Sequence, residues 1–125
     1  MNDPLRGCPL CKTKVSQVAL GLRDYSWLED TLPGREAPMD LDFVLEKRGE
    51  LLAIEFKPTG ETIPQGQLIT LKTLVKKGWT VWIVWGDGPV EVGPMDTQGN
   101  VGPVEEMSLK KLCQKVKAWR EAAAR

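Results

Sequence analysis

The sequence predicts an α/β protein in which helices flank a mixed β-sheet, and three observations predict it. Residues 40–47 and 51–57 alternate or run apolar on either side of Arg48-Gly49-Glu50, which reads as two strands joined by a tight glycine-containing turn. Leu68, Leu71, Leu74 and Val75 then recur at helical spacing between Pro64 and Gly78. Directly after them comes Trp79-Thr-Val-Trp-Ile-Val-Trp85, apolar nearly throughout, as a strand buried on both faces should be. A strand, a helix and a buried strand in that order form a crossover, and a crossover brings two parallel strands into one sheet.

The elements follow in order along the chain. Cys8-Pro9-Leu10-Cys11 reads as a turn, and Val15, Val18, Ala19 and Leu22 give a short helix from Thr13 to about Leu22. The stretch from Asp24 to Met39, broken by two prolines and a glycine before Met39, reads as a loop. The hairpin comes next, then the loop Pro58–Pro64, with Pro64 suited to a first helical turn and Gly78 to a helix stop. After the buried strand the chain is turn-rich, with one short edge strand expected at Val90–Val92. Ser108 caps a last helix whose stripe is Leu109, Leu112, Cys113, Val116 and Trp119. The whole is expected to be one domain: residues 1–37 a turn and helical segment packed on the core, and residues 38–125 the α/β core itself.

Composition narrows the function. With 42% hydrophobic and 27% charged residues in 125, the chain is an ordinary globular one, long enough to bury a core. Seventeen basic and 17 acidic residues cancel, so a general coat for nucleic acid is not expected and any polyanion contact must be a local patch. The N-terminus carries an acid and a proline where a signal peptide has a basic end and an apolar core, and no apolar run is long enough to span a bilayer, so a cytoplasmic protein without membrane contact is expected. Three cysteines argue against a disulfide framework. The absence of histidine excludes Ser-His-Asp and Cys-His hydrolases and every histidine-ligated metal enzyme.

One constellation carries chemistry. Period-two alternation puts Glu55 and Lys57 on one face of their strand, and Asp40 and Asp42 on one face of the strand before it. A hairpin twisted in the usual way sets Asp42 beside Glu55. Acids at the end of apolar strands cost several kcal/mol per buried ion unless something neutralises them, and a divalent cation does so. Hard carboxylate oxygens favour Mg²⁺ or Mn²⁺. Such an ion would be held by Asp42, Glu55 and a backbone carbonyl, that of Phe56, whose neighbours on both sides point at the site. Lys57 would orient a water or stabilise charge on a phosphoryl group.

The pattern Asp42, then Glu55-Phe56-Lys57, resembles the PD-(D/E)xK nuclease superfamily, and most of all its small resolvase-like members and the virus-type replication–repair nuclease domains. Pro58–Gln67 resembles the loop and helix start in which the virus-type domains carry a glutamine, and that alignment puts Gln67 in the glutamine's place. Lys76–Trp85 resembles their buried strand. The resemblance covers residues 38–86. It implies a restriction-endonuclease-like core and a Mg²⁺- or Mn²⁺-dependent DNA endonuclease leaving 5′-phosphate ends, with Asp42, Glu55, Lys57 and Gln67 as catalytic residues. Where the superfamily has hydrophobic-Pro-Asp, this chain reads Pro38-Met39-Asp40-Leu41-Asp42, so Asp40 and Asp42 compete as ligand. Spacing favours Asp42, and Asp40 is a candidate for a second ion or a supporting position. The glutamate that resolvase-like members carry before the first strand has only Glu29 and Glu36 nearby, and neither falls on an expected helix.

The remaining signals have plainer readings. Cys8 and Cys11 have the spacing of half a zinc ribbon, but Cys113 is the only other thiol and sits on a core stripe, so no Zn²⁺ is expected there. Trp79, Trp82 and Trp85 read as core, with the one at the sheet end free to meet a substrate. Lys72, Lys76 and Lys77 form one basic helix edge, and Lys110, Lys111, Lys115, Lys117 and Arg120 another, which supply phosphate contacts only if they flank the acids. A domain this small grips few phosphates, so the nuclease reading implies a homodimer acting on branched DNA or a larger nucleoprotein assembly. The alternative is a non-catalytic module of the same fold that binds DNA or a protein.

Overall fold

The computed structural model describes residues 39–124, which belong to the second of two compact units, Met39–Arg125. The helix expected at Thr13–Leu22, Cys8, Cys11, Glu29, Glu36 and the packing of residues 1–37 lie outside the described residues. Strand β1 (Phe43–Lys47) and β2 (Glu50–Lys57) form an antiparallel hairpin, Phe43 opposite Ile54 and Lys47 opposite Glu50. Arg48 and Gly49 both take positive φ, 53° and 85°, the mirror-image two-residue turn whose twist matches that of the strands. The Glu46 carboxylate accepts the Gly49 N–H at 2.7 Å and ties the turn down.

Helix α1 (Gln65–Lys76) carries the chain back to β3 (Thr80–Trp85), which pairs parallel with β2, Glu55 opposite Ile83 and Lys57 opposite Trp85. Pro64 is the residue before the first turn of α1, one position earlier than expected, and its carbonyl accepts the Leu68 N–H at 2.8 Å. At the other end Trp79 N–H donates to Leu74 O and Gly78 N–H to Val75 O, with Gly78 at φ 98°. That pair of bonds closes the helix because only glycine enters the left-handed region without penalty. β4 (Val90–Pro94) and β5 (Glu105–Met107) continue antiparallel, so the five strands lie in chain order with β2–β3 the one parallel pair. β5 falls where only turns are expected.

Helix α2 (Leu109–Ala123) opens with Ser108 Oγ accepting the Lys111 N–H at 3.1 Å, as a serine cap should. It covers one face of the sheet, where Leu112, Val116 and Trp119 meet Leu52, Ile54, Trp82, Val84, Val90 and Val92; Leu109 and Cys113, expected on the same stripe, are instead exposed. α1 covers the other, where Leu71 and Leu68 pack with Ala53, Val81 and Ile83. β3 is thus buried on both sides, as its unbroken apolar run predicts. Among the described residues no helix is long and apolar enough to cross a membrane.

Candidate functional site

Glu55 follows Ala53 by two residues, so it projects to the α1 face of the sheet, and there it is only 4% exposed. Asp42 comes from the bend just ahead of β1, and continuing the hairpin register sets it opposite Glu55. The two are cross-tied. The backbone N–H of Asp42 donates to Glu55 Oε1 at 3.1 Å, and the backbone N–H of Phe56 donates to Asp42 Oδ2 at 2.9 Å. Asp42 therefore replaces the ladder partner that β2 loses where β1 begins. In a strand a residue's N–H and C=O reach toward the same neighbour, so the Phe56 carbonyl faces Asp42 as well.

The third member arrives from α1. Gln67 lies in its first turn, and its Nε2 donates a short hydrogen bond to Glu55 Oε2. Both oxygens of Glu55 are thereby engaged. The other end of the same amide, Gln67 Oε1, is buried without a hydrogen-bond partner among the described residues. A buried orphan acceptor costs about 1–3 kcal/mol, and a water or an ammonium beside it would recover that.

Burial pushes the Glu55 carboxyl above the ordinary glutamate value of 4.5, and the neighbouring Asp42 carboxylate adds to the rise. The Asp42 N–H and the charge of Lys57 pull the other way. Lys57 shares the Glu55 face by period two and is half-buried. Burial and the nearby Asp42 carboxylate thus disfavour the ionised form of Glu55 relative to a glutamate in water, and a bound cation would offset that.

Of the sequence-derived candidates, the structure brings Asp42, Glu55 and Gln67 into one hydrogen-bonded cluster and sets Lys57 near enough to act on Glu55 by its charge. Asp40 is not brought in. It is exposed and precedes β1. The expectation that Asp40 and Asp42 share a strand face fails because the chain bends at Asp42, with Met39 and Leu41 both turned into the α1-side core. The α2 basic edge does not flank the acids, and on α1 Lys76 and Lys77 stand at the far end while Lys72 lies mid-helix, five residues past Gln67. The α2 lysines belong to the helix on the opposite face, where Lys115 Nζ sits 4.8 Å from the Trp82 ring centroid. Lys76 and Lys77 end α1, a 12-residue helix about 18 Å long that starts beside Glu55.

Among the described residues no three Asp, Glu or Cys side chains converge as a metal-binding group, so a cation here would rest on two carboxylates, a carbonyl and water. That donor set suits Mg²⁺, which keeps several of its waters. The pair of acids, the raised Glu55 and the orphaned Gln67 acceptor all fit such an ion. Comparison with protein-family models, with curated proteins and with solved structures found no match to the chain.

Proposed function

We propose that the Asp42–Glu55–Gln67 cluster with Lys57 is a divalent-metal-dependent phosphodiesterase site acting on DNA, an endonuclease on a restriction-endonuclease-like core. The observation that carries this is the buried Glu55, tied to Asp42 and Gln67, beside a buried Gln67 oxygen that has no donor among the described residues. An idle surface ion pair at a strand end would not be buried, cross-linked or under-satisfied.

Asp42 Oδ1 or Oδ2, a Glu55 oxygen and the Phe56 carbonyl would hold Mg²⁺ or Mn²⁺. When bound, the ion neutralises the acid pair, lowers the pKa of a water and withdraws charge from a phosphoryl oxygen. Gln67 Oε1 accepts a hydrogen bond from the attacking water and so aims its lone pair at phosphorus. Lys57 Nζ donates to a non-bridging phosphate oxygen as negative charge builds there. The water oxygen bonds to phosphorus and gives its proton to solvent, the P–O3′ bond breaks, and the 3′ oxygen takes a proton from solvent, leaving a 3′-hydroxyl and a 5′-phosphate.

The test is cleavage of a supercoiled plasmid and a branched oligonucleotide with Mn²⁺, beside Glu55→Gln and Lys57→Ala. Wild type should cut, and each variant should be at least about 100-fold slower. Equal cutting by all three would expose a contaminant. No cutting on either substrate, together with no Mn²⁺ heat in calorimetry, would replace the nuclease with a binding module.

A further inference from the structure

Beside the acid cluster the same face of the sheet carries an open cleft of about 530 Å³, between the loop before α1, the first turn of α1 and the loop before β5. Its walls are mainly apolar, formed by Ile63, Leu68, Val101, Val104 and the Trp85 ring, with Glu61 and Glu91 also lining it. We propose that this cleft receives an unpaired nucleobase of the strand whose phosphodiester lies at Asp42 and Glu55, which makes the substrate single-stranded or junction DNA; this rests on the nuclease reading above.

Continuity with the site is the first argument. Trp85 is the cross-strand partner of Lys57, on a neighbouring strand about 4.8 Å away, and both project to the α1 face. Leu68 follows Gln67 directly in α1, so adjacent residues of one helical turn serve the acid cluster and the cleft. A base in the cleft would belong to a nucleotide at the scissile phosphate or next to it.

Chemistry selects the occupant. The Trp85 indole N–H donates to the Glu61 carbonyl at 2.8 Å, which fixes the ring in one orientation and spends its polar edge. What remains is a flat aromatic surface with aliphatic walls, and every base has a face that stacks on one. Glu61 and Glu91 repel a phosphate and accept from the exocyclic amines of adenine, cytosine or guanine, so the cleft takes a base and turns away the backbone. A base stacked inside a duplex cannot enter, because it would first have to leave the stack.

The experiment uses the full chain and a short labelled oligodeoxynucleotide, with Ca²⁺ in place of Mn²⁺, and reads binding by fluorescence anisotropy. One abasic position is moved along the strand. One position should weaken binding about tenfold or more when its base is removed. Trp85→Leu should abolish that difference, and so should Val104→Trp, which fills the cleft from a side chain 46% exposed and is not expected to disturb the fold. Abasic and intact strands binding alike at every position would overturn the proposal, as would full discrimination in folded Val104→Trp. Either result can coexist with Mn²⁺-dependent cleavage that Glu55→Gln abolishes, so the nuclease reading would survive it. Base-dependent binding without any cleavage would support the cleft and remove the nuclease. Neither binding nor cleavage would overturn both.

Discussion

Replacing Glu55 by glutamine should stabilise the fold while ending catalysis. The carboxyl is held above its ordinary value because burial and the Asp42 carboxylate outweigh the Asp42 N–H and Lys57. The folded state therefore prefers the neutral form, and every unit of such a preference is worth about 1.4 kcal/mol once the group must ionise. Glutamine offers the same shape without the charge. Its oxygen keeps the Asp42 N–H, and its amide N–H₂ can donate to Gln67 Oε1, now orphaned, if the Gln67 amide turns over. Against that, two charge-assisted hydrogen bonds become neutral and weaken by about 1 kcal/mol each. The net expectation is a variant more stable than wild type at pH 8, seen as a higher Tm. The sign depends on pH. Well below 4.5 the wild-type group is neutral in both folded and unfolded chains, so the difference should stop changing with pH. As pH rises through the raised folded value, wild type loses stability that the variant keeps. Thermal melts followed by circular dichroism from pH 4 to 8 read this directly, and Mn²⁺ at 100 times its Kd should lift wild type by about 2.7 kcal/mol and leave the variant unmoved. A variant less stable than wild type at pH 8, or a difference that does not change with pH, would refute the claim that burial holds this carboxyl toward its neutral form.

Three further outcomes are expected. Lys57→Ala removes a charge that lowers the Glu55 value, so the ascending limb of the pH–rate profile should move to higher pH while the plateau falls about 100-fold. Gly93→Ala would set a Cβ 2.7 Å from Val101 Cγ1 and 3.1 Å from Val104 Cγ2, both on stiff β-branched side chains, and should cost about 1–3 kcal/mol in a denaturant titration. Ser108→Ala leaves the Lys111 N–H without its acceptor and should cost about 1 kcal/mol by the same titration, with no change in cleavage.

The hairpin, α1, β3 and α2 were legible in the sequence because each is specified by its own residues: Arg48-Gly49 by turn geometry, α1 by its leucine period and Gly78, β3 by its apolar run, α2 by Ser108 and its stripe. β5 was not. Glu105-Glu106-Met107 follows a proline and alternates too briefly to announce a strand, and it becomes one because Met107 pairs with Val90 and is buried under α2. In the candidate site the pairing of Asp42 with Glu55 follows from hairpin register, whereas Gln67 was singled out only by the resemblance of Pro58–Gln67 to the virus-type loop and helix start. The bend that turns Asp42 into a ladder substitute and leaves Asp40 outside has no local signal. It depends on where β1 stops and on Met39 and Leu41 finding the same apolar face.

By itself the sequence determined the hairpin, the crossover, the two helices and the pair of acids and the amine at one strand end, since periodicity and turn chemistry act over a few residues. Only the tertiary structure decided that Glu55 would be buried with its carboxyl value raised, that Gln67 Oε1 would have no donor among the described residues, and that the α2 basic edge would lie on the face opposite the acids. Burial and charge are properties of what surrounds a group in space, and those surroundings come from α1, β2 and the approach to β1 together, which no stretch of chain contains alone.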